Sequence, residues 1–193
     1  MNKTIEEKIK GIYSLSHVDG RFKNKTDFND GKIGSPVYGE ITRKGVDLLV
    51  QFFNEHFNKE TVFYDIGSGF SKMVFHIALQ YNVKKSVGIE YSKERHEGAM
   101  FLKEEYVNDV ENVEIICGDF SKQDISDATV VYADNTVFSD EVSKKLFDVL
   151  PIGCLFLFKR QTFAIKNNIK YSVDNDLVDR TYKQNSLCWL IKE

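Results

Sequence analysis

The stretch that decides the fold is Val62-Phe63-Tyr64-Asp65-Ile66-Gly67-Ser68-Gly69, in which an apolar run leads directly into a glycine-containing loop. The next apolar run ends at Glu90. Glycines allow the backbone to pass close to a ligand where a Cβ would collide. A carboxylate at a strand end roughly 20 residues later can accept hydrogen bonds from both hydroxyls of a ribose. The order strand, glycine loop, helix, strand and carboxylate therefore indicates a site for a nucleoside cofactor, and so an enzyme.

The residues around this loop indicate which cofactor it takes. The dinucleotide fingerprint G-x-G-x-x-G requires a glycine at position 72, where the chain has Lys72, and the phosphate-binding motif G-x-x-x-x-G-K-[ST] is absent. Asp65 would repel a phosphate but suits a cationic amino-acid cofactor. S-adenosylmethionine carries an ammonium, a carboxylate and a sulfonium, and it therefore fits better than a nicotinamide dinucleotide. The alternative is a tight strand-to-helix turn without a ligand, since a G-x-G loop by itself is a weak signal.

The alternation of strands and helices predicts an α/β fold with a mostly parallel seven-stranded sheet. Helices are predicted at 4–14, 42–57, 72–81, 93–107 and 139–149, and strands at 61–66, 85–90, 113–117, 129–133 and 153–159. The last two strands are expected within 169–180 and 185–192, as an antiparallel C-terminal hairpin. This ending is usual in Rossmann-like class I methyltransferases. Residues 1–36 are predicted to be a helical and loop extension, and residues 37–193 the catalytic domain.

The composition narrows the class of protein. No apolar run reaches the roughly 18 residues of a membrane span, and the N-terminus does not resemble a signal peptide, so an intracellular protein without membrane contact is expected. Cys117, Cys154 and Cys188 lie far apart among apolar residues, which predicts buried reduced thiols and no metal site. The four histidines show no catalytic spacing, and His76 is expected to be a satisfied, partly buried residue.

The charge of the chain is unevenly distributed. The net charge is −3, but residues 1–32 carry seven Lys/Arg against five Asp/Glu, and residues 159–193 carry seven against four. The ends are therefore mildly basic and the middle is acidic. Solvated surface explains this pattern, and a basic rim in weak contact with nucleic acid is the alternative.

Two further motifs lie where ligands bind in a doubly wound sheet. The run Val37-Tyr38-Gly39-Glu40 precedes the first long helix, either as a simple turn or as a lid over the amino-acid end of the cofactor. Asp119 and Phe120 follow the third strand, where a carboxylate can bind the adenine amine and an aromatic ring can stack on the base. An Asx turn followed by a core phenylalanine is the alternative for this pair.

The fourth strand ends in Tyr132-Ala133-Asp134-Asn135, at the position that borders the reaction centre in such folds. Asp134 or Asn135 can orient an amine nucleophile there, and Phe138 can form the wall of an apolar channel or belong to the core. Enzymes that methylate the amino groups of nucleic-acid bases have two prolines after this Asn or Asp. The chain has Thr136-Val137 instead, which argues against base methylation.

Together these motifs resemble the disruptor-of-telomeric-silencing family, the non-SET histone lysine methyltransferases. The resemblance runs from about Val37 to Lys159. It implies a Rossmann-like domain that uses S-adenosylmethionine to methylate a lysine on the nucleosome core. The resemblance implies that Tyr38 and Glu40 belong to a lid over the cofactor. It implies that Asp65, Gly67, Gly69 and Lys72 bind the cofactor at the glycine loop and its methionine end, that Glu90 binds the ribose, and that Asp119 and Phe120 bind the adenine. The residues implied beside the target amine are Asp134, Asn135, Phe138 and Tyr38.

The chain departs from the family pattern at two places. Ser71-Lys72 stands where the family usually has Gly-Gln, which alters a polar contact to the cofactor, and Asp134 replaces the first of two asparagines. The implied reaction is in-line attack by a lysine amine on the sulfonium methyl, without a metal. The nucleus is the expected location for a eukaryotic or viral chromatin enzyme, and the cytoplasm otherwise. The alternatives are a methyltransferase of another protein or of a small molecule, and an inactive cofactor-binding module.

Overall fold

A computed structural model describes residues 3–14, 39–175 and 186–193. The strands are β1 (Val62–Ile66), β2 (Lys85–Glu90), β3 (Val113–Cys117), β4 (Val130–Ala133), β5 (Leu155–Phe158), β6 (Ser172–Asp174) and β7 (Leu187–Ile191). The helices are α1 (Ile5–Ser14), α2 (Arg43–Phe52), α3 (Lys72–Gln80), α4 (Lys93–Tyr106), α5 (Asp140–Val149) and α6 (Thr162–Lys166).

The seven strands form one sheet in the order β3-β2-β1-β4-β5-β7-β6. Strands β1 to β5 are parallel to one another, whereas β7 pairs antiparallel with both β5 and β6. The predicted fold class is therefore confirmed. Because the carboxyl ends of β1 to β5 lie at the same edge, the loops that follow these strands meet there.

Two hydrophobic layers cover the faces of the sheet. Phe63 points into the layer that contains α1 to α4, and Tyr64, the next residue, points into the layer that contains α5 and α6. Every residue of β1 is buried. A strand covered on both faces needs a continuous apolar run, which is what the sequence has before Asp65.

The N-terminal helix packs into this core. Ile9 and Ile12 of α1 are fully buried, and α1 contacts α3 and α4. A Cβ at Gly11 would lie 2.2 Å from the ring of Tyr106, so the helix backbone rests against α4. The helix of the predicted extension is thus part of the packing of the domain, and residues 15–38 lie outside the described part of the chain.

Several element bounds differ from those predicted. Helix α2 ends at Phe52 and not at 57, and a 3-10 turn follows it (Asn54–His56). Phe52 and Phe53 pack edge-on against Trp189 of β7, which turns the chain away from the helix axis. Helix α6 was not predicted, since five residues are too few for a helical period to show. The predicted turn near residues 183–185 lies outside the described residues.

The cysteines follow the prediction only in part. Cys154 and Cys188 are buried, and burial raises the pKa of their thiols to about 12 and about 11. Cys117 is exposed, contrary to expectation, because it ends β3 at the open edge of the sheet. Within the described ranges no helix has the length and apolarity that a bilayer span requires, and no cluster of potential metal ligands occurs.

Candidate active site

A pocket opens at the carboxyl end of the sheet, between β1 and β4, where the order of the strands reverses. Asp65 lies opposite Gly88 of β2 and opposite Tyr132 of β4. This is the crevice in which doubly wound folds bind ligands. Ten described residues line it, namely Gly39, Glu40, Ile41, Asp65, Gly67, Ser68, Lys72, Met73, Tyr132 and Asp134.

The glycine loop has the backbone geometry of a ligand cradle. Gly67 and Gly69 have φ values of 80° and 57°, in the region that glycine adopts without steric cost. The amides of Gly67 and Ser68 both donate to the carbonyl oxygen of Ile89, at 2.8 Å and 3.2 Å, which fixes the loop to β2. Ser71 shares the left-handed conformation with φ 57° although it has a side chain.

Gly88 in β2 makes room for this loop. A Cβ on Gly88 would lie 2.8 Å from the Oγ atoms of both Ser68 and Ser71, which are themselves 3.0 Å apart. The loop therefore rests directly on the backbone of β2. The requirement for glycine at position 88, two residues before Glu90, follows from the structure and not from the sequence pattern.

Glu90 is buried, and its two carboxylate oxygens hold both neighbouring loops. Oε2 accepts a hydrogen bond from the amide of Gly69 at 2.7 Å, and Oε1 accepts one from the amide of Ser92 at 2.8 Å. A carboxylate has about four lone-pair positions, so these bonds leave acceptor capacity for the predicted ribose hydroxyls. Glu90 thus supports the glycine loop, and its role toward the ribose stays a prediction.

An ion pair joins the predicted lid to the start of α3. Lys72 Nζ lies 2.8 Å from Glu40 Oε2, and the two side chains are only 6% and 14% exposed. Glu40, Asp65 and Asp134 therefore provide three carboxylates around the pocket, and Lys72 provides one ammonium. Tyr38, the other predicted lid residue, lies outside the described residues.

The charges of carboxylates at the pocket affect the pKa of Tyr13 in α1. Burial raises the pKa of its phenol well above the ordinary value, and the negative charges of Glu40, Asp47 and Asp65 raise it further. The phenol therefore stays protonated at neutral pH. The first helix thus reaches the back of the site, which its position in the sequence did not indicate.

Tyr13 also belongs to a buried polar cluster behind α3. Its hydroxyl lies 3.2 Å from His76 Nδ1, and His76 Nε2 lies 3.1 Å from Gln80 Oε1 and 3.3 Å from Asp47 Oδ1. Burial lowers the pKa of His76, and the nearby charge of Asp47 opposes that effect. His76 has partners on both nitrogens, so the prediction of a satisfied residue is confirmed, but the side chain is fully buried and not partly buried as expected.

Asp119 and Phe120 lie at the end of β3. Asp119 Oδ1 accepts a hydrogen bond from the amide of Ser121 at 2.9 Å, as in an Asx turn. Burial acts to raise the pKa of Asp119, but the hydrogen bonds from Ser121 and the charges of Lys145 and Lys122 together outweigh it, and the pKa is lowered. The ring of Phe120 is buried and lies parallel to that of Phe138, with centroids 6.5 Å apart. Their roles toward the adenine stay predictions.

Asn135 is not among the described residues that line the pocket, and its predicted contact with the target amine stays a prediction. It is fully buried, and its Oδ1 accepts hydrogen bonds from the amides of Lys159 and Arg160 at 2.8 Å and 2.6 Å. Its Nδ2 donates to Ser143 Oγ and to the carbonyl oxygen of Arg160. With both ends of the amide engaged, Asn135 ties the end of β4 to the end of β5.

Asp134 and Phe138 face the site. Asp134 is half-buried and lines the pocket, and its Oδ1 accepts a hydrogen bond from Thr136 Oγ1 at 2.6 Å. Phe138 Cζ lies 3.4 Å from the place where a Cβ on Gly67 would be. The ring therefore covers one side of the glycine loop, as a channel wall would.

The structure brings together five of the predicted site residues around one pocket, namely Glu40, Asp65, Gly67, Lys72 and Asp134. It places Gly69, Glu90, Asp119 and Phe120 along the ends of the neighbouring strands, outside that pocket. Sequence reasoning missed Tyr132 and Met73 as lining residues. The register of β1 and β4, which sets Tyr132 opposite Asp65, is the signal that identifies Tyr132.

Comparisons with known proteins show which proteins this chain is similar to. The model of the family described as "Histone methylation protein DOT1" matches residues 23–187. A protein-lysine N-methyltransferase of Saccharolobus islandicus (strain REY15A) is 37% identical over 79 residues, which cover 38% of this chain and 45% of the relative. The chain thus spans less than half the length of that relative.

Solved structures share the fold. An RNA methyltransferase from Salinibacter ruber in complex with S-adenosyl-L-homocysteine is 25% identical with a TM-score of 0.54, over 78% of this chain and 90% of that chain. A methyltransferase from Geobacter sulfurreducens in complex with the same ligand is 21% identical with a TM-score of 0.51, over 65% and 51%. A precorrin 8w decarboxylase from Methanobacterium thermoautotrophicum is 14% identical with a TM-score of 0.59, over 83% and 96%.

These matches agree with the predicted enzyme class, a methyltransferase, and with the predicted cofactor. The family model matches most of the chain, including the glycine loop and the end of β4. The chain therefore belongs to the DOT1 histone methylation family.

Proposed function

We propose that the protein is an S-adenosylmethionine-dependent protein-lysine N-methyltransferase. The observation that carries this proposal is the pocket in which Glu40, Asp65 and Asp134 surround Lys72 beside the glycine loop. Membership of the DOT1 family and the likeness to a protein-lysine N-methyltransferase support it.

The residues of the site fit the cofactor at both ends. Gly67 and Gly69 supply the close backbone approach, and the buried carboxylate of Glu90 supplies acceptors for ribose hydroxyls. At the methionine end, Glu40 and Asp65 are acceptors for an ammonium group, and Lys72 is a donor for a carboxylate. A nucleotide phosphate would meet three carboxylates in the same pocket, which disfavours it.

When bound, S-adenosylmethionine supplies a methyl group on a positively charged sulfur. The acceptor lysine must be neutral, and a free lysine with pKa of about 10.4 is neutral in only about one molecule in 2,500 at pH 7, a cost of roughly 4.6 kcal/mol. Asp134 lines the pocket and is the proposed residue that binds and orients the amine.

The apolar surroundings lower the cost of deprotonation. The ring of Phe138 covers the loop at Gly67, and desolvation beside such a ring disfavours the ammonium form of a lysine. Asn135 holds the backbone ends of β4 and β5 and so keeps Asp134 at the rim of the pocket. Positioning of two reactants can save about 7–11 kcal/mol, so the fixed strand ends are important for the rate.

The proposed acceptor is a histone lysine presented on a nucleosome. The description of the family supports a histone, and the mildly basic ends of the chain suit a substrate that carries DNA. A second candidate is a lysine of a non-histone protein. The similarity to an archaeal relative described only as a protein-lysine N-methyltransferase favours that alternative.

Mass spectrometry of nucleosomes, free histones and a mixture of non-histone proteins, each incubated with enzyme and cofactor, tests the proposal. Gly67→Arg fills the cradle, whereas Gly153→Arg places the same side chain at a similar φ (84° against 80°) with no atom within 4 Å of its Cβ. We expect methylation of a nucleosomal lysine by the wild type and by Gly153→Arg, and none by Gly67→Arg.

Three other outcomes would contradict the proposal at different levels. Methylation of non-histone proteins alone would show that the acceptor is not a histone, but it would keep the assignment as a protein-lysine methyltransferase. Transfer to RNA or to a small molecule would overturn the protein-lysine assignment. Binding of S-adenosylhomocysteine without any turnover would identify an inactive cofactor-binding module.

A further inference from the structure

Arg160 lies just beyond the end of β5 and contacts the segment that follows β4 at three places. Its guanidinium donates a hydrogen bond from Nη1 to the carbonyl oxygen of Phe138 at 2.6 Å, and Nη2 lies 3.5 Å from Asp140 Oδ1. Its backbone amide donates to Asn135 Oδ1 at 2.6 Å. Arg160 therefore holds the start, the middle and the end of residues 135–140.

The position of the guanidinium is itself fixed. Nε donates to Thr162 Oγ1 at 2.8 Å, and the same hydroxyl donates to Asp140 Oδ1 at 2.6 Å. A guanidinium is planar and presents its N–H donors as a rigid fork, so one placement serves Phe138, Thr162 and Asp140 together. The ammonium of a lysine is a compact point charge without this fork.

Phe138 is the residue of this segment whose ring faces the site. Its Cζ lies 3.4 Å from the place where a Cβ on Gly67 would be, and its ring is parallel to that of Phe120. A hydrogen bond to the carbonyl oxygen of Phe138 fixes the backbone from which the ring projects. Arg160 thus acts on the ring from a distance, since it is not among the described residues that line the pocket.

We propose that Arg160 is a positioning residue for methyl transfer, which holds the ring of Phe138 as a wall of the acceptor channel. In this role Arg160 acts through residues 135–140 and not by contact with the reacting atoms. A misplacement of about 1 Å can lower an enzymatic rate about a hundredfold, so the position of the wall is important for the reaction. The inference deepens the proposed function, on which its kinetic part rests.

Fluorine NMR tests the positioning without any turnover. A single 4-fluorophenylalanine, incorporated at position 138, reports the surroundings of the ring. In Arg160→Met the fluorine signal should move from its wild-type position toward that of the protein unfolded in urea. Lys166→Met is the matched control, because Lys166 has Asp140 as its described partner and is 68% exposed. In that variant the signal should stay where it is in the wild type.

Steady-state kinetics with the acceptor that the wild type methylates test the consequence for the reaction. Arg160→Met should lower kcat about tenfold to a hundredfold, while the Kd of S-adenosylhomocysteine changes less than about threefold. Arg160→Lys keeps the positive charge but should recover little of the rate, because it lacks the fork. Lys166→Met should match the wild type in both quantities.

A double-mutant cycle shows whether Arg160 acts through the ring. Phe138→Leu should itself lower kcat, and in that background Arg160→Met should lower it by less than about a further threefold, because no ring is left to position. Circular dichroism verifies that each variant is folded. If Arg160→Met does not fold, Thr162→Val removes an exposed hydroxyl that orients the guanidinium, and it should move the fluorine signal in the same direction.

The outcomes separate failure of this inference from failure of the proposed function. An unchanged fluorine signal in the folded Arg160 or Thr162 variant would overturn the positioning of the ring. An unchanged kcat in Arg160→Met, full recovery by Arg160→Lys, or an undiminished effect in the Phe138→Leu background would overturn the role in methyl transfer. A wild type that methylates no acceptor would refute the proposed function and the kinetic part of the inference with it, whereas the fluorine signal decides the structural part.

Discussion

Replacement of Gly88 by alanine tests whether the glycine loop rests on β2. In most strand interiors the change from glycine to alanine is stabilising by about 0.5–1 kcal/mol. Here the new Cβ would lie 2.8 Å from Ser68 Oγ and from Ser71 Oγ, and 3.1 Å from Ser68 Cβ. Non-bonded atoms prefer separations of about 3.5–4.0 Å, so the loop must move outward. Overpacking of this kind costs about 1–3 kcal/mol, and we expect Gly88→Ala to lower the free energy of unfolding by that amount.

The same displacement should weaken cofactor binding. The loop amide of Gly69 lies 2.7 Å from Glu90 Oε2, and an outward shift lengthens that bond. A loss of about 1.4 kcal/mol corresponds to a tenfold higher Kd for S-adenosylhomocysteine. Urea unfolding, followed through the single tryptophan, and calorimetry measure the two effects.

A second substitution provides the internal control for Gly88→Ala. Ser71→Gly removes one of the two opposing oxygens and suits the φ of 57° at that position. In the Gly88→Ala background it should therefore restore about half of the lost free energy. A Gly88→Ala protein that is more stable than the wild type, with an unchanged Kd, would refute the reasoning.

Two other predictions concern residues that hold the site from behind. Asn135→Asp places a buried carboxylate oxygen 3.3 Å from the carbonyl oxygen of Arg160. The substitution should lower the free energy of unfolding, measured by urea titration, by about 2–4 kcal/mol. A decrease below about 0.5 kcal/mol, as expected for an ordinary surface change, would contradict this prediction. Burial lowers the pKa of His76 in the folded state, so the unfolded state binds more protons. The contribution of this group to the free energy of unfolding is therefore present above about pH 6.5, and it is lost as the pH falls through the folded pKa. The unfolding free energy of His76→Gln should therefore fall less between pH 7.5 and 5.5 than that of the wild type, and parallel curves would refute this.

The fold was predictable because its signals are local. Each parallel strand is an apolar run, and the glycine loop marks the first strand-to-helix turn. The bounds that were wrong depend on contacts between distant residues, such as the packing of Phe52 and Phe53 on Trp189, which ends α2 early. A helix as short as α6 has no detectable period.

The candidate site was predictable in its position but not in its pairings. The rule that ligands bind at the carboxyl ends of strands selected Asp65, Glu90 and Asp134. The partner of Lys72 is 32 residues away in the chain, and no sequence pattern specifies it. Asp134 and Asn135 are neighbours in sequence and were given similar roles, yet successive residues at a strand end point to opposite sides. One reaches the pocket and the other ties β4 to β5.

The charges of the pocket suggest how the proposed reaction is favoured. Methyl transfer would move one positive charge from the cofactor sulfur to the acceptor nitrogen, and Asp134 is the proposed carboxylate beside that nitrogen. A fixed carboxylate stabilises charge that develops beside it. The same carboxylate also stabilises the protonated lysine before reaction, which makes deprotonation harder. On the proposed assignment, Asp134 would favour binding of the lysine and the arrival of charge, and we expect the rate maximum to lie at a higher pH than in Asp134→Asn, which a pH profile of kcat would measure.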